Sequence, residues 1–169
     1  TITPTARYPM KPNAPKLLSQ DHLAVFLASY GLRAEDVQFL RHSQNHVYAC
    51  RLHDKKVILR ISEERHRTKE QIQVELAWMN LLISSGIKAC KPLPAKNGEA
   101  CVALDLDGRT CIAACFEHVP GIPITAQHLH ADLYEKLGGL LGQLHSLTTC
   151  QGATKIAASR PHWHESRLL

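Results

Sequence analysis

No stretch of this 169-residue chain approaches the roughly 20 consecutive apolar residues that a bilayer-spanning helix needs, which argues against a membrane role. No C-x-x-C pair occurs among the six cysteines, Cys50, Cys90, Cys101, Cys111, Cys115 and Cys150, and most of them sit inside apolar runs. They read as reduced thiols packed in a core rather than as a disulfide framework. Aromatic residues make up only 5% of the chain, and none falls in the richest basic stretch, Arg51 to Lys69, which also holds Asp54, Glu63 and Glu64. Nucleic-acid surfaces interleave aromatics with cations, so this pattern speaks against a nucleic-acid protein. Thr1 to Lys16 contain four prolines and no continuous apolar core, so they read as a leader rather than a secretory signal. The missing initiating Met suggests trimming, and the cytoplasm is the expected location. No internal repeat or low-complexity tract is visible.

What remains is ordinary globular material, 44% apolar and 21% charged, long enough for one domain with a core or for one lobe and part of another. The formal charge of +5 suits an anionic partner such as a nucleotide.

After the leader, Ser19 can cap a helix in which Leu23, Phe26, Leu27 and Tyr30 recur on one face, with Gly31 as the stop. Val37 to Arg41, His46 to Leu52 and Lys56 to Ser62 read as strands, the last two joined by a turn at His53, Asp54 and Lys55. Thr68 and Gln71 have capping-box spacing and open a second helix that runs through Trp78 and Leu82 to Gly86. Asn97-Gly98 and Asp107-Gly108 are hairpin signals flanking strands at Ala100 to Leu106 and Thr110 to Glu117, with a short extended piece near Lys91 to Pro94. These elements predict an antiparallel sheet of about five strands with one main helix. A Pro-Gly-x-Pro cluster at Val119 to Pro123 then marks a boundary, and Leu133, Leu137, Leu140, Leu141 and Leu144 form a helical stripe up to His145. Gly138, Gly139 and Gly142 weaken that helix intrinsically, so close packing against another surface is expected there.

Glu75 is the most informative residue. In the second helix it shares a face with Ile72, Leu76, Met79 and Leu82, and a carboxylate in an apolar stripe costs several kcal/mol unless a cation reaches it. Arg60 is the best candidate, since strand alternation puts it on the face of Ile58, opposite Val57 and Leu59. Such a pair is read either as a structural ion pair or as the device by which kinase-like folds aim a cation at ATP phosphates. His128-x-His130 and His162-x-His164 lack further ligands at metal-site spacing and read as surface histidines, so no metal site is expected.

Asn45-His46-Val47-Tyr48, Leu59-Arg60-Ile61, His66-Arg67, Ile72, Glu75-Leu76-Ala77-Trp78, Leu82 and Gly86 together resemble the aminoglycoside phosphotransferase and homoserine-kinase-like superfamily. Phe116 to Gly121 resembles the interlobe hinge of that superfamily, and Leu137-Gly138 to Leu144-His145 the first long helix of its C-lobe. The resemblance covers about residues 20 to 150. It implies an α+β, protein-kinase-like N-lobe at 19–118, a hinge at 119–123, and at 124–169 the start of an incomplete helical C-lobe, after a leader at 1–18. It further implies that the turn Ser43-Gln44-Asn45 lies over the ATP phosphates and that Val47 and Ile58 roof the adenine. The Glu117 carbonyl and the Val119 N–H would bond the adenine edge behind the bulky Phe116. The turn lacks the glycines of a protein-kinase loop, so it also reads as an ordinary polar β-turn.

Phosphoryl transfer in this fold needs an Asp to receive the hydroxyl proton, an Asn a few residues on, and a further Asp for magnesium. The last Asp is Asp132, the last Asn is Asn97, and Glu165 is the only acidic residue after His145. His130-Ala131-Asp132 begins like a catalytic H-x-D, but it precedes the helix and has Leu137 where the Asn would fall. The expectation is the ATP-binding part of a small-molecule phosphotransferase acting on a hydroxyl of a metabolite or an aminoglycoside, inactive as a fragment, with no catalytic residue of its own. Magnesium and the acceptor would engage only a complete protein. A non-catalytic nucleotide- or protein-binding module derived from the fold is the alternative. The apolar stripe Leu137 to Leu147 looks built for burial and favours the fragment, with self-association through that surface expected.

Overall fold

The structure is a computed structural model describing residues 18–122, 124–149 and Ile156. The leader up to residue 17, Pro123 of the Pro-Gly-x-Pro cluster and most of the tail beyond Thr149, including Cys150, His162 and His164, lie outside the described residues.

Helix α1 spans Gln20–Tyr30. Ser19 Oγ accepts from the His22 N–H at 3.2 Å, satisfying one of the free donors of the first turn. Gly31 ends the helix at φ 71°, a left-handed conformation that a side chain would oppose, and Leu32 N–H closes back on the Leu27 carbonyl at 2.9 Å. Strands β1 (Gln38–His42), β2 (Asn45–Leu52) and β3 (Lys55–Glu63) follow as a meander. Helix α2 (Lys69–Ser84) starts with the expected capping box: Thr68 Oγ1 accepts from the Gln71 N–H, and Gln71 Oε1 accepts from the Thr68 N–H. Strands β4 (Pro92–Leu93), β5 (Val102–Leu106) and β6 (Arg109–Glu117) complete the sheet, and α3 spans Ala131–Thr148.

All pairings are antiparallel. The lanes run β1-β2-β3-β6, and β4 and β5 both pair with the remaining edge of β6. Six strands thus occupy five lanes, which is how the expected count of about five meets the observed six. The expected α+β architecture is present.

Two core clusters lie on opposite sides of the sheet. Phe26, Leu27 and Tyr30 of α1 pack with Tyr48, Cys50, Val57, Leu59, Ile61, Ala113 and Cys115. Ile72 and Leu76 of α2 pack with Cys101, Ile112, Ala114 and Phe116. Strand β6 contributes to both, so Cys111 to Phe116 are all buried, and its sequence reads as an unbroken apolar run rather than an alternating one. Tyr30 is tied across this core by its hydroxyl, which donates to the Ala113 carbonyl at 2.8 Å.

Two expectations need correction. Asp107-Gly108 does form the two-residue β5–β6 hairpin, with both residues at positive φ, but Asn97-Gly98 joins no paired strands. It closes a local turn in which Ala95 N–H donates to the Glu99 carbonyl, because β4 is too short to reach β5 and pairs with β6 instead. The β2–β3 turn is confined to His53 and Asp54, since Lys55 already pairs with Leu52. A methyl group at Gly138, Gly139 or Gly142 would meet no atom within 4 Å, and no residue of α3 is buried. No described segment supplies the surface against which these glycines are expected to pack.

Candidate nucleotide site on the α2 face of the sheet

Register and alternation bring the expected residues of β2, β3 and β6 onto one face. Val47 pairs with Arg60, Ala49 with Ile58, Ile58 with Phe116, and Arg60 with Ala114. Even-numbered β3 residues therefore face α2, while Val57, Leu59 and Ile61 fill the α1 core.

Arg60 meets Glu75 as a fork on a carboxylate: Nη1 donates to Oε1 at 2.7 Å and Nη2 to Oε2 at 3.2 Å. Both side chains are about four-fifths buried, at 19% and 18% exposure. The guanidinium also lies over the Phe116 ring, 5.1 Å from its centroid. Its Nε is buried and has no hydrogen-bond partner among the described residues. Sequence reasoning missed a second cation: Arg67 Nη1 donates to Glu75 Oε2 at 2.8 Å. Arg67 stands just before the helix cap, outside any periodic pattern, so only its place in the His66-Arg67 pair singled it out.

At the β1–β2 turn, Ser43 and Gln44 are exposed, and Asn45 is half-buried. Asn45 pairs with Ser62, two residues along β3 from Arg60, and its Oδ1 accepts from Ser62 Oγ at 2.7 Å. On the other face of the same turn, His42 and His46 lie with ring centroids 4.3 Å apart. Burial pushes the His46 imidazole down to about 4, with His42 adding to the effect and Glu63 opposing it. His46 Nδ1 has no partner among the described residues.

At the far end of β6, the Glu117 N–H donates to the Lys91 carbonyl at 2.9 Å, and the Glu117 carbonyl accepts the Cys90 thiol at 3.0 Å. His118 N–H reaches the Lys56 carbonyl at 3.3 Å. Val119 is exposed, and its backbone makes no hydrogen bond among the described residues. Burial raises all five described thiols, Cys50 to about 11 and Cys115 to about 12, so they remain neutral at ordinary pH.

A groove of about 680 Å³ runs between Leu52, Val57, Leu93 and His118, with Lys55 and Lys56 on its rim. It sits at the end of the sheet where Glu117 and His118 leave β6, and neither Arg60 nor Glu75 lines it. A smaller groove of about 250 Å³ lies near Ile124 and Leu133. Among the described residues, no three His, Cys, Asp or Glu side chains gather closely enough to hold a cation.

A model of the phosphotransferase enzyme family matches residues 36–167. The chain belongs to this family. Over 148 residues it is 31% identical to amicoumacin kinase of Bacillus subtilis (strain 168), an alignment covering 87% of this chain and 44% of that protein. An amicoumacin kinase solved with AMP-PNP, Ca2+ and Ami matches with a TM-score of 0.72 at 27% identity, over 78% of this chain and 40% of the other. The fold is shared with a microcompartment-associated aminopropanol kinase, TM-score 0.61 at 23% identity, over 73% of this chain and 39% of that one. The chain thus spans less than half the length of these relatives. Its six-stranded antiparallel sheet with flanking helices is the kinase-like fold that these neighbours share.

Proposed function

We propose that this chain is the nucleotide-holding part of an ATP-dependent small-molecule phosphotransferase whose acceptor is a hydroxyl of a metabolite or an aminoglycoside. One observation carries the reading: Arg60, on a strand that also presents Ile58, is clamped in a fork by Glu75 of α2 on one face of the sheet. A guanidinium fixed in this way cannot swing to follow its ligand, and preorganised charge is what polyphosphate binding uses. The family relationship supports reading the pair as more than structural.

The residues fit the group. Val47 and Ile58 offer a half-exposed apolar shelf for the adenine, with Phe116 behind it. The Val119 N–H has no partner among the described residues and is open to the ring edge, and the Glu117 carbonyl, which holds the Cys90 thiol, retains a second lone pair. Ser43, Gln44 and Asn45 lie over the phosphate end, with Asn45 fixed by Ser62. In this reading residues 19–118 are the N-lobe, 119–123 the hinge and 124–169 the start of the C-lobe. Among the described residues no carboxylate cluster offers a magnesium site, and Glu165 is the one acidic residue after α3 in this sequence, so in this reading the catalytic step needs groups outside this segment. No described helix is long and apolar enough to cross a membrane.

Titrating ATP into the wild-type chain and into Arg60→Ala tests the proposal. Binding by the wild type and at least roughly tenfold weaker binding by the variant are expected, the weight of one charged hydrogen-bond set. Equal affinities would remove Arg60 from the phosphate site.

A further inference from the structure

We propose that Arg67 is a positioning residue that sets the charge of the Arg60 site, so that the site discriminates a nucleoside triphosphate from a monophosphate. The inference rests on the nucleotide reading above and deepens it.

In a simple cation–carboxylate clamp the two charges cancel, and the clamped cation attracts an anion only through its local dipole. Here the carboxylate is shared. Glu75 Oε2 lies 2.8 Å from Arg67 Nη1 and 3.2 Å from Arg60 Nη2, while Oε1 holds Arg60 Nη1 at 2.7 Å. Two guanidiniums on one carboxylate leave these three side chains with one net positive charge.

The three groups are also unequal in their exposure. Arg60 is 19% exposed and has its ring contact with Phe116, whereas Arg67 is 42% exposed at the solvent edge beside the start of α2. Arg67 draws part of the Glu75 charge away from Arg60, because an oxygen that accepts from two guanidiniums satisfies neither fully. Arg60 therefore keeps more of its pull on an incoming anion. The excess charge sits where no acidic cluster collects a metal among the described residues. Charge of this kind discriminates by ligand charge and hardly at all by the base or sugar, so it separates triphosphate from monophosphate.

The test uses the full 169-residue chain in EDTA, titrated with ATP and with AMP for wild type, Arg67→Gln, Arg67→Met and Arg67→Lys. Two neutral variants guard against one failing to fold, and thermal melting checks each protein. The expected result is ATP affinity reduced roughly tenfold in both neutral variants, AMP affinity changed far less, and near-wild-type selectivity in Arg67→Lys. A neutral variant that keeps the wild-type ratio of ATP to AMP affinity overturns the inference, as does equal weakening of both ligands with a lowered melting temperature, which a merely structural role would give. Loss of selectivity in Arg67→Lys equal to that in Arg67→Gln overturns the charge argument as well. No binding of either nucleotide by the wild type instead sinks the nucleotide reading itself, a result separable from the others because it precedes any substitution.

Discussion

Ser62 and Asn45 face each other across β3 and β2, and the Ser62 hydroxyl, 1% exposed, donates to Asn45 Oδ1 at 2.7 Å. This bond fixes the side chain at the end of the Ser43-Gln44-Asn45 turn from beneath. The two partners are not equivalent, because Asn45 is half-buried and can turn to water while Ser62 cannot.

Removing the Asn45 partner is therefore the costlier change. Asn45→Ala leaves a buried hydroxyl unsatisfied and should lower stability by about 2 kcal/mol, whereas Ser62→Ala should cost about 1 kcal/mol. Urea denaturation of the two variants and the double variant measures both values and their coupling. Equal costs for the two single variants would show that Ser62 finds another acceptor.

Glu75→Gln removes the carboxylate from two guanidiniums, one of them mostly buried. Discounted for partial exposure, a loss of about 2 kcal/mol is expected in denaturant unfolding. Arg33→Gln is the control: Arg33 is 61% exposed, and its surface contacts with Glu35 and Asp36 should be worth no more than about 0.5 kcal/mol. A Glu75→Gln effect as small as the control would mean that the clamp adds nothing to the fold.

His46 makes stability depend on pH. Its folded value is near 4 against an ordinary 6.5, so between those values the unfolded chain takes up a proton that the folded chain refuses. The sign is fixed by that difference: stability is complete above about pH 6.5 and falls by up to about 3 kcal/mol as pH drops toward 4. Denaturation at pH 4.5 and 7, compared with His46→Phe, should show a shallower pH slope in the variant. An unchanged slope would assign the acid loss to other groups.

Exposed apolar side chains are concentrated after β6 and along α3: Val119, Ile122, Ile124, Leu137, Leu140 and Leu141 are each more than a third exposed. Sedimentation of the chain at micromolar concentration should therefore reveal self-association, and Leu137→Glu with Leu141→Glu should reduce it. A monodisperse wild-type monomer would contradict this.

Much of this architecture is legible in the sequence because its signals are local. Ser19 and Gly31 bracket α1, Thr68 and Gln71 open α2, and Asp107-Gly108 turns β5 into β6, each through chemistry confined to a few residues. Glu75 betrays its partner because a carboxylate between Ile72 and Leu76 demands one. The rest depends on distant pairing. Asn97-Gly98 has hairpin chemistry, yet β4 has a better partner in β6, which no local pattern records. Arg67 lies eight residues from Glu75, ahead of the helix cap, and follows no periodicity, so no sequence pattern records the contact. The glycines of α3 signal close packing in the sequence, but no described segment approaches them.

The most direct test of nucleotide binding on the α2 face is residue-resolved NMR of the wild-type chain during addition of AMP-PNP. Shifts confined to Asn45, Val47, Ile58, Arg60, Phe116 and Val119 are expected, with Leu52, Lys55 and Leu93 around the groove at the end of the sheet unmoved. Shifts centred on that groove, or none at all, would contradict it.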